Sequence, residues 1–320
     1  MGRNSDLISE ADIKEQVREF YDSVGWKQIG EGVYQNARYE DLREVSREYI
    51  HRCHLRVTDY LPSEGKFLLD AGSGPIQYPE YLEYSKGFRY RVCLDISILA
   101  LMEARERIGE HGLFVVGDIA NLPFKDGAFD GVVSLHTVHH LPPQEHKAAF
   151  HDLFRTLKPG GRAAVVYTWG TRSSLMRAFR RPMAWATRLL GSMALVPASD
   201  EGTLNLIEEP KPDASNLIQK PGTYTYKHDY GWVRKNLSAL PNLEIRSWRS
   251  VSTAFLRALI HPRALGGIWL RLIYWAEGLT PHLLGRIGQY PIILFDKPVG
   301  INGSFKRELS ESVGKVGEPI

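Results

Sequence analysis

The spacing of apolar positions divides the chain into a helical start and a long stretch of alternating strands and helices. Over residues 1–60 the period is helical: Ile13, Val17, Phe20, Tyr21 and Val24 share one stripe, and Ser9 with Asp12 makes a capping box ahead of it. From Lys66 the pattern changes to short, nearly continuous apolar runs. These predict strands at 66–70, 89–95, 113–118, 129–137 and 161–169, separated by amphipathic stretches such as 97–108 and 143–157. Strands that are apolar on both sides and joined by helices make a parallel sheet covered on both faces. Lys158-Pro159-Gly160-Gly161 has the composition of a turn. Two later runs, 243–251 and 290–297, predict further strands. The segments before them, 170–222 and 252–289, are too long for plain connections and read as helical insertions.

The sharpest chemical signal is Asp70-Ala71-Gly72-Ser73-Gly74-Pro75, where the first strand of the sheet is expected to turn into a helix. Gly72 and Gly74 permit a sharp turn and close backbone approach, and Pro75 suits a first helical turn. A tight turn alone would explain this much. The neighbouring strands add to it. Asp95 closes the second strand, where a carboxylate can accept both hydrogen bonds of a ribose diol. Asp118 closes the third strand, where it could meet an adenine amino group, and the fourth ends in Leu135-His136-Thr137-Val138-His139-His140. Three strands ending in Asp at one sheet edge exceed what capping requires, and ligands bind at that edge in open parallel sheets.

Over residues 66–170 these features resemble a class I S-adenosylmethionine-dependent methyltransferase of the type-11 group. The blocks 122–130 and 157–161 are typical of the same group. The resemblance implies a Rossmann-like, mostly parallel seven-stranded α/β sheet with helices on both faces, an N-terminal helical lid and two helical insertions. It implies S-adenosylmethionine as cofactor and S-adenosylhomocysteine as product. Asp70, Gly72 and Gly74 would hold the methionine end, Asp95 with Ile96 the ribose, and Asp118 with Ile119 the adenine. Leu135 and His136 would lie beside the sulfonium. One position departs from the group: its third glycine falls at Ile76. The rival nicotinamide dehydrogenases want a glycine at position 77, which is Gln77 here. The implied division is a lid over 1–60, a cofactor-binding core over 61–170, an acceptor lid over 171–222 and a core continuation over 223–251. A second insertion over 252–289, a last core strand over 290–298 and a disordered tail over 299–320 complete it.

Methyl transfer from a sulfonium needs a base only when the acceptor must lose a proton. His139, and after it His136 and His140, stand at the strand end where such a base belongs. No carboxylate completes a metal site with them, so no metal is expected. Tyr21 and Trp26, in the segment 20–26, match the group's lid over the cofactor. In the aromatic strip Tyr224, Tyr226, His228, Tyr230 and Trp232, the residues Tyr226 and His228 are expected to border the acceptor pocket.

Composition narrows the acceptor. The chain has 320 residues, 40 Lys plus Arg against 37 Asp plus Glu, and two cysteines, Cys53 and Cys93. A net charge of +3 does not call for nucleic acid, and two cysteines exclude a disulfide framework. The start carries no apolar signal region, and no run of 18 residues is free of charge, so a cytoplasmic protein is expected. From Gly170 to Ser199 there is no acid, but Arg172, Arg177, Arg180, Arg181 and Arg188 are present. Met176, Phe179, Met183, Ala186 and Leu190 would share a helix face, with Pro182 splitting the helix in two. Residues 252–276 again lack acids and are very apolar from Ile268 to Trp275. These insertions point to a small lipophilic acceptor, or to peripheral membrane contact. O-methylation is the expected reaction, with C-methylation of a quinone-like ring, an RNA methyltransferase and a non-catalytic cofactor-binding module as alternatives. Nucleic acid is not expected, because Leu141-Pro142-Pro143-Gln144 keeps only the prolines of the base-amino methylators' motif.

Overall fold

The computed structural model describes residues 9–30, 33–192 and 223–300. The expected tail, apart from Val299 and Gly300, and the second half of the first insertion lie outside these residues. In chain order the elements begin with α1 (Glu10–Phe20), which runs on into a π-helical turn, Tyr21–Gly25. The Ser9 hydroxyl accepts from the Asp12 amide (3.2 Å) and the Asp12 carboxylate from the Ser9 amide (3.1 Å), the predicted capping box. A small antiparallel hairpin, β1 (Gln28–Gly30) and β2 (Val33–Tyr34), follows, and then α2 (Glu44–Leu55). The helical reading of residues 1–60 missed this hairpin, which is too short to carry an alternating signal.

The central sheet contains β3 (Gly65–Ala71), β4 (Phe88–Asp95), β5 (Gly112–Val116), β6 (Phe129–Leu135) and β7 (Leu157–Val166). It is completed by β8 (Glu244–Arg249) and β9 (Tyr290–Asp296), giving seven strands in the order β5-β4-β3-β6-β7-β9-β8. The pairs from β5 to β7 are parallel, and β9 runs antiparallel to both its neighbours. The fold is a Rossmann-like, mostly parallel α/β sheet. Its strands bury alternate residues on opposite faces: Leu68, Cys93, Val133 and Ala164 in one core, Leu69, Leu94, Val132 and Ala163 in the other. Each such leucine contributes about 1.5–3 kcal/mol by leaving water. Helices α3 (Ile98–Ile108) and α4 (His146–Thr156) cover opposite faces.

Two local expectations fail for backbone reasons. No α-helix follows Gly74. Gly72, Gly74 and Ile76 all have positive φ (76°, 54° and 55°), and Pro79 keeps Tyr78 extended, so only a 3-10 segment, Pro79–Ser85, leads to β4. Arg107 of α3 donates to the Ile76 carbonyl (2.8 Å) and steadies this turn. Conversely, Pro182 does not split its helix: α5 (Ser174–Ser192) is continuous. The carbonyl that Pro182 deprives of a partner is that of Ala178, and both residues are exposed, so water can satisfy it.

The remaining helices are α6 (Tyr230–Asn236), α7 (Thr253–Leu259), α8 (Gly266–Leu279) and α9 (Pro281–Ile287). Helix α5 packs on α7 through Phe179 and Phe255, whose rings meet edge to face at 5.1 Å. Helix α8 buries Leu270 and Glu277 but exposes Ile268, Trp269, Leu272, Trp275 and Leu279 on its other side. Among the described residues no helix is long and apolar enough to cross a membrane.

Candidate active site

The carboxyl ends of β3, β4 and β6 build the site. Gly72 turns the chain there, its amide donating to Leu94 O at 2.7 Å. A Cβ at Gly72 would overlap the Thr137 side chain, and one at Gly74 would stand 3.0 Å from the Trp26 ring. Asp95 accepts from the Gly74 amide and the Ser97 amide, both at 2.9 Å, so the second strand's acid also fastens the glycine turn. Burial pushes the Asp95 carboxyl up to about 6, although both amides pull it down. Asp70 is buried and paired with Arg91, whose Nε donates at 3.1 Å. Asp118 accepts from the Ala120 amide (2.8 Å) and from Lys14 Nζ (2.5 Å), and Lys14 also donates to Glu145 at 2.6 Å.

A cavity of about 940 Å³ runs along this edge. Asp70, Gly72, Gly74, Asp95, Ile96, Asp118, Ile119, Leu135 and His136 all line it. A glycine turn packed tightly against Thr137 and Trp26, with three carboxylates along the same edge, suits a ribonucleoside carrying a charged amino acid chain.

The three histidines differ in availability. His140 uses both ring nitrogens: Nδ1 meets the Tyr224 carbonyl at 2.9 Å, and Nε2 meets the Tyr21 hydroxyl at 3.0 Å. His136, at φ 56°, packs edge-on against Trp248 and Tyr290 at ring separations of 5.0 and 5.5 Å. His139 is buried on the cavity wall with Nδ1 unpartnered. Burial holds all three neutral: it lowers His136 to about 3 and His140 to about 4, and puts His139 well below its usual value. A neutral imidazole can accept a proton, and both His136 and His139 stand on the cavity wall without the ring hydrogen bonds that occupy His140.

Tyr21 and Trp26 stack at 4.8 Å and both line the cavity. Tyr226 and His228 do not. The extended strip from Thr223 to His228 alternates, so that Thr223, Thr225 and Lys227 face the cavity. Tyr226 and His228 pack instead around His146, and His228 lies flat on Trp232 at 3.6 Å. The aromatic residues of the strip are its structural side and the threonines its cavity side.

Several wall residues carried no sequence signal. Glu40 forms an ion pair with Arg249, and both reach the cavity from segments far apart in the chain. Burial opposes ionisation of Glu40, but Arg249 and His54 more than offset it and hold the carboxyl far below the usual range. His54 sits between Glu40 (3.7 Å) and Glu80 (3.6 Å) and stacks on Trp248 at 5.8 Å.

This fold and acidic edge are those expected of the class I S-adenosylmethionine-dependent methyltransferases. Within that class, residues 69–165 match the family Methyltransf_11, described as Methyltransferase domain. The chain is similar to the ubiquinone/menaquinone biosynthesis C-methyltransferase of Roseobacter denitrificans, at 31% identity over 148 residues, 42% of this chain and 57% of that protein. It is similar to the tRNA (carboxymethyluridine(34)-5-O)-methyltransferase of Xenopus tropicalis at 31% identity over 139 residues, 42% of this chain and 21% of that one. It thus spans less than two thirds of these relatives' length. The fold is shared with Haemonchus contortus phosphoethanolamine N-methyltransferase 2 in complex with S-adenosyl-L-methionine. The TM-score is 0.50 at 14% identity, covering 92% of this chain and 61% of that one.

Proposed function

We propose that the protein transfers a methyl group from S-adenosylmethionine to an oxygen of a small, largely apolar acceptor. The observation that carries this reading is the continuity of the cavity. It passes from the three acids, past His139, into a chamber walled by Tyr78, Tyr81, Met176, Met183 and Tyr290. When bound, the cofactor supplies an electrophilic methyl group. Asp95 and Asp118 orient it, the stacked Tyr21 and Trp26 exclude water, and the neutral His139 imidazole takes the proton of an acceptor hydroxyl. C-methylation of a quinone-like ring is the alternative, supported by the similarity to a quinone-pathway C-methyltransferase. RNA competes as acceptor because another relative is a tRNA methyltransferase.

Calorimetric titration with S-adenosylmethionine, S-adenosylhomocysteine and NAD tests the cofactor. Transfer of a labelled methyl group to phenols, quinols and bulk tRNA then tests the acceptor. Micromolar binding of both sulfur ligands with labelling of a phenol supports the reading. Silence from both ligands leaves a non-catalytic module, and labelling of tRNA alone overturns the small acceptor.

A second reading concerns location. The exposed stripe on α8, with two tryptophans and with Arg263 and Arg271 exposed beside it, supports peripheral contact with an anionic membrane. Flotation with anionic vesicles should retain the protein and lose the Trp269→Ser/Trp275→Ser variant. Equal flotation of both proteins refutes it.

A further inference from the structure

The chamber beyond the histidines is cationic. Arg177 and Arg180, one helical turn apart on α5, line it together with Lys227 from the opposite strip. Neither arginine has an ion-pair partner among the described residues. The acid of this half, Glu40, is already committed to Arg249 and His54. Lys227 reaches toward the methyl-transfer end. Its Nζ lies 3.4 Å from where a Gly170 Cβ would stand, and its charge, after burial, helps hold His139 and His140 unprotonated.

Unpartnered donors occupy the same walls. Arg249 is buried with Nε unsatisfied, and the Thr223 hydroxyl is buried without a partner. Neither atom is accessible from the cavity, so the donors open to a ligand are those of Arg177, Arg180 and Lys227. The sulfonium adds a further positive charge to the cavity when the cofactor is bound. A cationic amine acceptor in this half would meet repulsion from Arg177, Arg180 and Lys227, whereas an anion would be drawn in.

We propose that the acceptor carries an anionic group, a carboxylate or phosphate monoester, held by Arg177, Arg180 and Lys227 while its apolar body lies against Met176, Met183 and Tyr290. This rests on the methyltransferase reading and adds the charge of the substrate to it. Arginine forks suit either oxyanion, and placement at the cavity rim lets the anion sit at the mouth with the reacting oxygen inside.

The test uses the full chain saturated with S-adenosylhomocysteine and small phenols whose para groups are anionic, neutral and cationic: 4-hydroxybenzoate, 4-hydroxybenzyl alcohol and tyramine. Phenyl phosphate and bulk tRNA are added as separate arms. Calorimetry should show 4-hydroxybenzoate or phenyl phosphate binding at least about tenfold more tightly than the alcohol, with tyramine weakest. Arg177→Gln/Arg180→Gln should remove that preference and leave S-adenosylhomocysteine affinity within about twofold. Both arginines are exposed, so the variant keeps the fold, and Lys227→Met provides an independent repeat from the other wall. Equal affinity for the three phenols, no binding by either anion, an unaltered double variant, or saturable binding of tRNA alone would each overturn the proposal. Failure of the methyltransferase reading is distinct: S-adenosylhomocysteine itself would not bind.

Discussion

Asp95 is where cofactor affinity and pH meet. Its carboxylate already accepts two backbone amides at 2.9 Å, one on each oxygen, and its remaining lone pairs face the cavity. Asp95→Asn keeps the shape but turns one of those oxygens into an NH2 donor. That group opposes an amide N–H, and the ribose loses a charged acceptor. Hydrogen bonds to a charged group contribute about 1.5–3 kcal/mol each. Losing one to two of them weakens S-adenosylhomocysteine by about 3 kcal/mol, or roughly 100-fold in Kd. The pH dependence sharpens the test. In the free protein the carboxyl sits at about 6, and bound ribose hydroxyls favour the ionised form. Binding is therefore full above pH 6 and falls as pH drops through it, by up to about tenfold per unit. Asn cannot titrate, so the variant should be flat over the same range. Calorimetry at pH 7.5, 6 and 5 measures both. A variant within about threefold of wild type, or one that keeps the acid slope, refutes this reasoning.

Three further outcomes follow from the same structure. His139→Gln should lower kcat by about 10²-fold or more with S-adenosylhomocysteine affinity unchanged, and undiminished turnover would mean that positioning alone suffices. Glu40→Gln leaves Arg249 buried without its counter-charge and should cost roughly 3–5 kcal/mol in urea unfolding, and a loss below about 1 kcal/mol contradicts the buried pair. At Ile76, a β-branched residue held at φ 55°, Ile76→Gly should be about 1 kcal/mol more stable than Ile76→Ala, reversing the usual order, since only glycine relieves the left-handed strain. Equal or opposite stabilities would show that Ile76 is unstrained.

The sheet was legible because its code is local. Near-continuous apolar runs ending in Asp70, Asp95 and Asp118 are enough to place three acids at one edge, and all three line the cavity. What escaped depends on contacts between distant segments. Glu40 and Arg249 are 209 positions apart, and nothing near either one marks it as half of a buried pair. The strip from Thr223 was misread for another reason. Aromatic rings draw attention, but parity decides which side chains face a wall, and in an extended segment without strand pairing the phase is set by packing against His146 and Trp232. The break after Gly74 was harder to see, because Pro75 permits a helix; the positive φ of Ile76 leaves no local trace, and Pro79, which keeps Tyr78 extended, was its one visible mark.

Helix α1 and its π-helical turn are tied to the rest of the protein through groups at the cofactor edge: Lys14 to Asp118, Tyr21 to His140, and Asp22 to Ser97 beside Asp95. On the proposed reading, a nucleoside bound at this edge would lie beneath this segment and leave as those bonds open. The dwell time of the spent cofactor is thereby coupled to the opening of a single amphipathic segment. Turnover under saturating acceptor then becomes a property of the stretch from Glu10 to Trp26 as much as of the sheet that binds the ligand.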